Sequence, residues 1–150
     1  MKKTNKKETQ IVGNTGMYYV CYQLSRMGWN VMPTARNARG VDVIAYNLDN
    51  GQYCGIQVKT LSRRNPVPLG NDLDKILGDF RVVVILPKQE SSDSPVIYVL
   101  TPEEVHDLSE KHTNKNGEIS YWLHPGRYYE KPEYEEKWDR IQEKLRSLGS

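Results

Sequence analysis

The dipeptide Asn50-Gly51 constrains this chain more than any other feature. It separates two runs rich in β-formers, residues 41–47 and 53–61. Asn-Gly is the strongest short hairpin signal, because both central residues of a type I′ turn need positive φ. A two-residue turn there pairs 47 with 54, 44 with 57 and 42 with 59. Side chains alternate faces along a strand. Asp42, Gln57 and Lys59 are therefore expected on one face, with Asp42 opposite Lys59 and diagonal to Gln57. Val41, Val43, Ile56 and Val58 fill the other.

The remaining segments order themselves around that hairpin. Residues 1–8 form a polar, lysine-rich lead-in expected to be flexible. Residues 9–27 read as a helix, with Val12, Tyr19, Val20, Gln23, Leu24 and Met27 at three- and four-residue steps and Gly28 as its C-cap. Residues 29–32 suit a first strand, and 33–40 a basic loop. Residues 62–79 carry Pro66, Pro68, Gly70 and Gly78 and read as a long irregular connection. Residues 81–86 form a continuous apolar run, the mark of a strand buried on both faces, and 96–100 a further strand. Thr101-Pro102-Glu103-Glu104 starts a helix to about 111: a threonine cap, proline at the first position, acids in the first turn. Residues 113–130 are loop around a short strand at 119–123. Pro132 opens a final helix, 132–148, with Trp138, Ile141, Leu145 and Leu148 on one stripe. The fold class is α/β: a mixed sheet flanked by helices, in one domain spanning 1–150.

Composition narrows the function classes. A formal net charge of +2 gives no global basic field, so any nucleic-acid surface has to be local. Cys21 and Cys54 both sit in apolar stretches and read as reduced core residues, not a disulfide framework. No segment approaches the length of a membrane span. A soluble cytoplasmic protein is the expectation.

The chemistry lies in the hairpin. Taken by themselves, Asp42, Gln57 and Lys59 leave two readings open. One is a cross-strand salt bridge on a solvated face. The other is a metal site for phosphodiester hydrolysis, with Asp42, the Gln57 side-chain oxygen and the Val58 main-chain carbonyl as hard ligands for Mg²⁺. Lys59 would then orient the attacking water or offset charge on the transition state. Arg36, Arg39, Arg63 and Arg64 flank the motif and could hold phosphates. Tyr18, Tyr19 and Tyr22 lie on the first helix, where packing competes with a stacking role. His106, His112 and His124 read as structural or surface residues. Tyr128, Tyr129, Tyr134 and Trp138 read as packing.

Gly40-Val41-Asp42-Val43-Ile44-Ala45, the hairpin, and Ile56-Gln57-Val58-Lys59-Thr60 together resemble the signature of the PD-(D/E)XK, or restriction-endonuclease-like, nucleases. The nearest variant has glutamine in place of the acid, as in Mrr-like enzymes. The preceding helix and 29–31, then 79–84 and 97–105, are also similar to small members, so the likeness covers roughly 10–110. It implies a metal-dependent DNA endonuclease using Mg²⁺ or Mn²⁺, of a restriction, defence or repair kind. Asp42 and Gln57 would be metal ligands and Lys59 the catalytic lysine. Small junction-resolving nucleases share this fold and size, which leaves room for a homodimer. Many members carry a glutamate after a Gly-x-x-Gly pattern in the leading helix. Here Gly13-Asn14-Thr15-Gly16 is followed by Met17, and Asn14 is the helix residue left to contribute. The alternative implied is a degenerate member that binds nucleic acid or a protein without cutting.

Overall fold

The computed structural model describes residues 6–34 and 40–147. Its frame is a mixed five-stranded sheet with strand order β1-β2-β3-β5-β6. The strands are β1 (Asn30–Pro33), β2 (Val43–Tyr46), β3 (Tyr53–Leu61), β5 (Phe80–Ile85) and β6 (Val96–Leu100). Neighbours run antiparallel except β3 and β5, which are parallel. Parallel neighbours need a crossover. Residues 62–79 supply it and contain β4 (Val67–Gly70) and a 3₁₀ turn, Leu73–Lys75. The expectation of a structureless connection there is corrected. Val67 and Leu69 alternate inward despite the prolines, and Pro68 is tolerated because β4 is an edge strand.

One face of the sheet carries α1 (Lys6–Arg26) and α3 (Trp138–Arg146). Val20 and Leu24 of α1 and Ile141 and Leu145 of α3 pack with Val43, Ala45, Ile56, Val82 and Val99. The other face is partly covered by a second antiparallel sheet, β4-β8-β7, with β7 at Glu110–Thr113 and β8 at Ile119–Leu123. There Leu61, Val83, Ile85, Tyr98 and Leu100 meet Val67, Leu123, Tyr128 and Val105 of α2 (Pro102–Leu108).

Several expected boundaries move, each for a tertiary reason. Residues 6–8, expected in the flexible lead-in, belong to α1, and residues 1–5 lie outside the described set. The capping box at Thr101 and Glu104 forms as expected. However, α2 ends at Leu108 instead of 111, because Glu110–Thr113 pairs with β8. Pro132 does not open α3. Tyr134 O accepts from Val99 N–H (2.9 Å) and Glu136 N–H donates to Ile97 O (2.8 Å). This segment satisfies edge strand β6 before the helix begins at Trp138. Leu148 lies outside the described residues.

The hairpin turn is also longer than expected. Asn47 N–H donates to Gln52 O (2.8 Å) and Gly51 N–H to Asn47 O (3.0 Å), leaving four residues in the loop. Gly51 has φ +75°, but Asn50 is not among the positive-φ residues, so the turn is not type I′. Instead the Nδ2 groups of Asn47 and Asn50 both donate to Leu145 O, each at 3.0 Å. The asparagines are used to cap α3, and that tertiary demand overrides the local turn signal. Ile44 consequently pairs with Gly55, not Gln57.

Candidate functional site

A pairing slip of two residues changes partners but not faces. Ile56 packs in the helix-side core, while Leu61 packs under the second sheet. By alternation Gln57 and Lys59 lie with Leu61, on the side away from the helices. The expected face of these two residues holds, and the expected pairing of Asp42 with Lys59 does not.

Asp42 lies one residue before β2 begins. Its N–H donates to Ile56 O (2.8 Å), although Ile56 is already the partner of Val43. Two residues set against one is the pattern of a bulge. Thr34 steadies this segment: its Oγ1 donates to Val41 O (2.5 Å) and its N–H to Asp42 O (2.9 Å). Beyond this point β3 has no strand partner on the β2 side. Asp42 Oδ2 fills the gap by accepting from Val58 N–H at 2.7 Å. The Val58 carbonyl lies on the same edge of the strand as that N–H. The salt-bridge reading is thereby corrected, since no ion pair joins Asp42 to Lys59. The side chain of the half-buried Lys59 has no hydrogen-bond or ion-pair partner among the described residues.

The residue that sequence reasoning missed is Arg81. In the parallel register it sits beside Gln57, at the head of a strand read as wholly apolar. It is the one buried charged side chain among the described residues, at 7% exposure. Its Nη2 donates to Gln57 Oε1, and its Nε is buried without a partner. Burial pushes its pKa down and the charge of Asp42 pushes back, though a guanidinium stays protonated. The available signal was a lone arginine opening an apolar run, but using it requires knowing that β3 and β5 are neighbours.

The other expected contributors are less central. Asn14 is exposed and has no hydrogen bond to Asp42, Gln57 or Lys59. The helix instead reaches β3 through Gly13 and Gly16. Thr60 Oγ1 donates to Gly13 O (3.4 Å), and a Cβ on Gly16 would collide with Thr60 Oγ1. Met17 packs against the helix-side core. Arg36 and Arg39 lie outside the described residues. Arg63 and Arg64 are exposed just past β3, and Arg64 stacks on the Tyr129 ring at 4.3 Å. Tyr18 and Tyr22 are exposed, while Tyr19 accepts from Gln23. His124 pairs with Glu110 at 3.0 Å. Cys21 and Cys54 are free thiols, and burial, reinforced by Asp79, pushes Cys54 up to about 12. A cavity of about 380 Å³ lies at the hairpin-turn end, lined by Trp29, Tyr46, Asn47 and Arg146. It contains none of the candidate site residues.

The fit of a divalent cation can be judged from these donors. Asp42, Gln57 and Val58 offer oxygens, the right kind for Mg²⁺ or Mn²⁺. No group of three His, Cys, Asp or Glu side chains among the described residues could hold a metal. Asp42 is the one carboxylate among these donors, and the Gln57 oxygen is already taken by Arg81. In this arrangement the residues do not fit a divalent ion.

No family model matches the sequence, and no curated protein matches it. Among solved structures the chain is similar to a bacterial homing endonuclease, with a TM-score of 0.57 and 17% identity. The match covers 91% of this chain and 94% of that one. At this identity the likeness is one of fold, and it places the mixed sheet and its helices in an architecture used by a nuclease.

Proposed function

We propose that this chain acts on DNA as an endonuclease of the PD-(D/E)XK type, in its glutamine-bearing, Mrr-like form, within one domain spanning 1–150. The observation that carries the reading is the place where β2 stops. There Asp42 is locked to Val58 N–H (2.7 Å), Gln57 lies beside it, and Lys59 has an unpaired ammonium on the same side of the sheet. A stability-driven sheet face would place apolar side chains there. The shared fold with a homing endonuclease supports this reading.

In this reading Asp42, Gln57 and Lys59 are the catalytic residues. The reading takes no step through Mg²⁺ or Mn²⁺, which Asp42, Gln57 and the Val58 carbonyl do not fit in this arrangement. The chain's own contribution is separate. Lys59 sets a positive charge where phosphate charge accumulates, and the Val58 N–H fixes the orientation of Asp42. Arg63 and Arg64, with Arg36 and Arg39, would contact flanking phosphates. The protein works as a monomer or a homodimer on DNA, and no described helix is long and apolar enough to cross a membrane.

A second reading is a non-cleaving DNA-binding member of the same fold. The observation favouring it is that Asp42 is the single carboxylate at the site. Plasmid nicking in Mn²⁺ separates the two. Endonuclease activity predicts nicking by the wild type that is lost in Asp42→Asn and Lys59→Ala. Salt-sensitive DNA binding with no nicking under any divalent ion contradicts it and leaves the binding module.

A further inference from the structure

The contact between Arg81 and Gln57 decides which way the Gln57 amide points. A guanidinium carries donors only, so the Gln57 atom that meets Arg81 Nη2 has to be the oxygen. That removes the two-fold ambiguity of a side-chain amide. With Oε1 held by Arg81, the NH₂ group is turned elsewhere. Gln57 Nε2 donates to no described residue. It is not one of the buried polar atoms left without a protein partner, so it reaches the surface. The unpaired ammonium of Lys59 stands on the same side of the sheet, two residues and about 7 Å along the strand. Arg81 and Lys59 outnumber the one carboxylate, Asp42, whose Oδ2 already accepts from Val58 N–H (2.7 Å). Surface donors and surplus positive charge suit an anion, not a cation.

We infer that Arg81 fixes Gln57 as a hydrogen-bond donor, and that Gln57 Nε2 and Lys59 Nζ form a receptor for the non-bridging oxygens of a DNA phosphate. The inference rests on the reading of this site as one that meets DNA, and it changes the part that Gln57 plays there. Two long side chains at this spacing can converge on one phosphate. An amide free to turn would present its oxygen to the phosphate part of the time, and two acceptors repel. Arg81 prevents this. It is a positioning residue: buried at 7% exposure, it acts on the phosphate through the orientation of the amide. Because the contact is to backbone phosphate, it carries no base preference.

The first test needs no substitution in the protein that is measured. In ¹H–¹⁵N spectra of the wild type in chelator, the Gln57 side-chain amide, assigned by its loss in Gln57→Met, should shift when a short DNA duplex is added. Affinity for the same duplex supplies the second test. Gln57→Met should bind roughly ten- to a hundredfold more weakly, the loss of one hydrogen bond to a charged group. Its salt slope should stay unchanged, because no charge is removed. Gln57→Glu separates a donor from a structural support. Its carboxylate still partners Arg81, so the fold should hold, yet it offers no donor and should bind at least as weakly as Gln57→Met. In Arg81→Met the amide is free to turn, and its response to DNA should vanish. An unshifted Gln57 amide in DNA-bound wild type overturns the inference, as does wild-type affinity in Gln57→Met or Gln57→Glu. A full response in folded Arg81→Met overturns it as well. If Arg81→Met does not fold, the wild-type shift and the Gln57→Glu affinity decide. The endonuclease reading fails separately: DNA held in this way without nicking ends that reading and leaves the inference standing, and nicking with an unshifted Gln57 amide does the reverse.

Discussion

The two faces of β3 follow different rules. Ile56 and Val58 on the helix side belong to a continuous apolar layer with α1 and α3, and Thr60 fits so closely under α1 that Gly16 has no room for a side chain. Gln57 and Lys59 on the opposite side are only half-buried, and Gln57 accepts from a buried arginine. The first face is explained by packing alone. The second costs stability, since an incompletely paired buried cation is unfavourable, and such local conflicts with folding are expected where a protein works.

Breaking the first face should cost folding and spare the site's chemistry. Ile56→Ala should lower unfolding free energy by about 2–5 kcal/mol, the range for a buried isoleucine. Urea denaturation measures this. DNA binding per folded molecule should remain. Breaking the second face should do the reverse. Lys59→Ala should reduce plasmid nicking by roughly 10²–10³-fold, with a stability change within about 0.5 kcal/mol. Large stability loss in Lys59→Ala would erase the distinction between the faces. Gly16→Ala sharpens it further. Its Cβ would collide with Thr60, forcing α1 off the sheet at a cost of about 1–3 kcal/mol by thermal or urea unfolding.

The smallest effect belongs to the clamp that ties α2 to α3. Glu104 is forked by Arg140 at 2.5 and 2.9 Å and accepts from Thr101 N–H (2.9 Å). Burial opposes its charge, but these donors outweigh burial and hold its carboxyl below the ordinary value of 4.5. Its contribution is therefore present above that value and lost as pH falls through the depressed pKa. Glu104→Gln should flatten the fall of melting temperature as pH drops below the ordinary value of 4.5. An unchanged acid limb would contradict that assignment.

Much of this contrast was legible in the chain. The β-run at 96–100, the capping box at Thr101 and the stripe Trp138, Ile141, Leu145 follow from local rules and are seen in the structure. The face shared by Gln57 and Lys59 survived a wrong turn type because a four-residue loop in place of a two-residue one moves the register by an even number. What was not legible depends on partners distant in sequence. Asn47 and Asn50 are diverted to Leu145, residues 134–136 to β6, and 110–113 to β8. Arg81 became visible only through the parallel register with Gln57. The bulge at Asp42 likewise needs the strand ending to be seen, and no periodicity announces it.

The central claim is that the polar side of β3 meets a DNA phosphate through Lys59. The most direct measurement is duplex-DNA affinity of wild type and Lys59→Ala as a function of salt, in chelator. The claim predicts weaker binding by the variant and a log–log salt slope smaller in magnitude by about one. Coincident curves with identical slopes would contradict it.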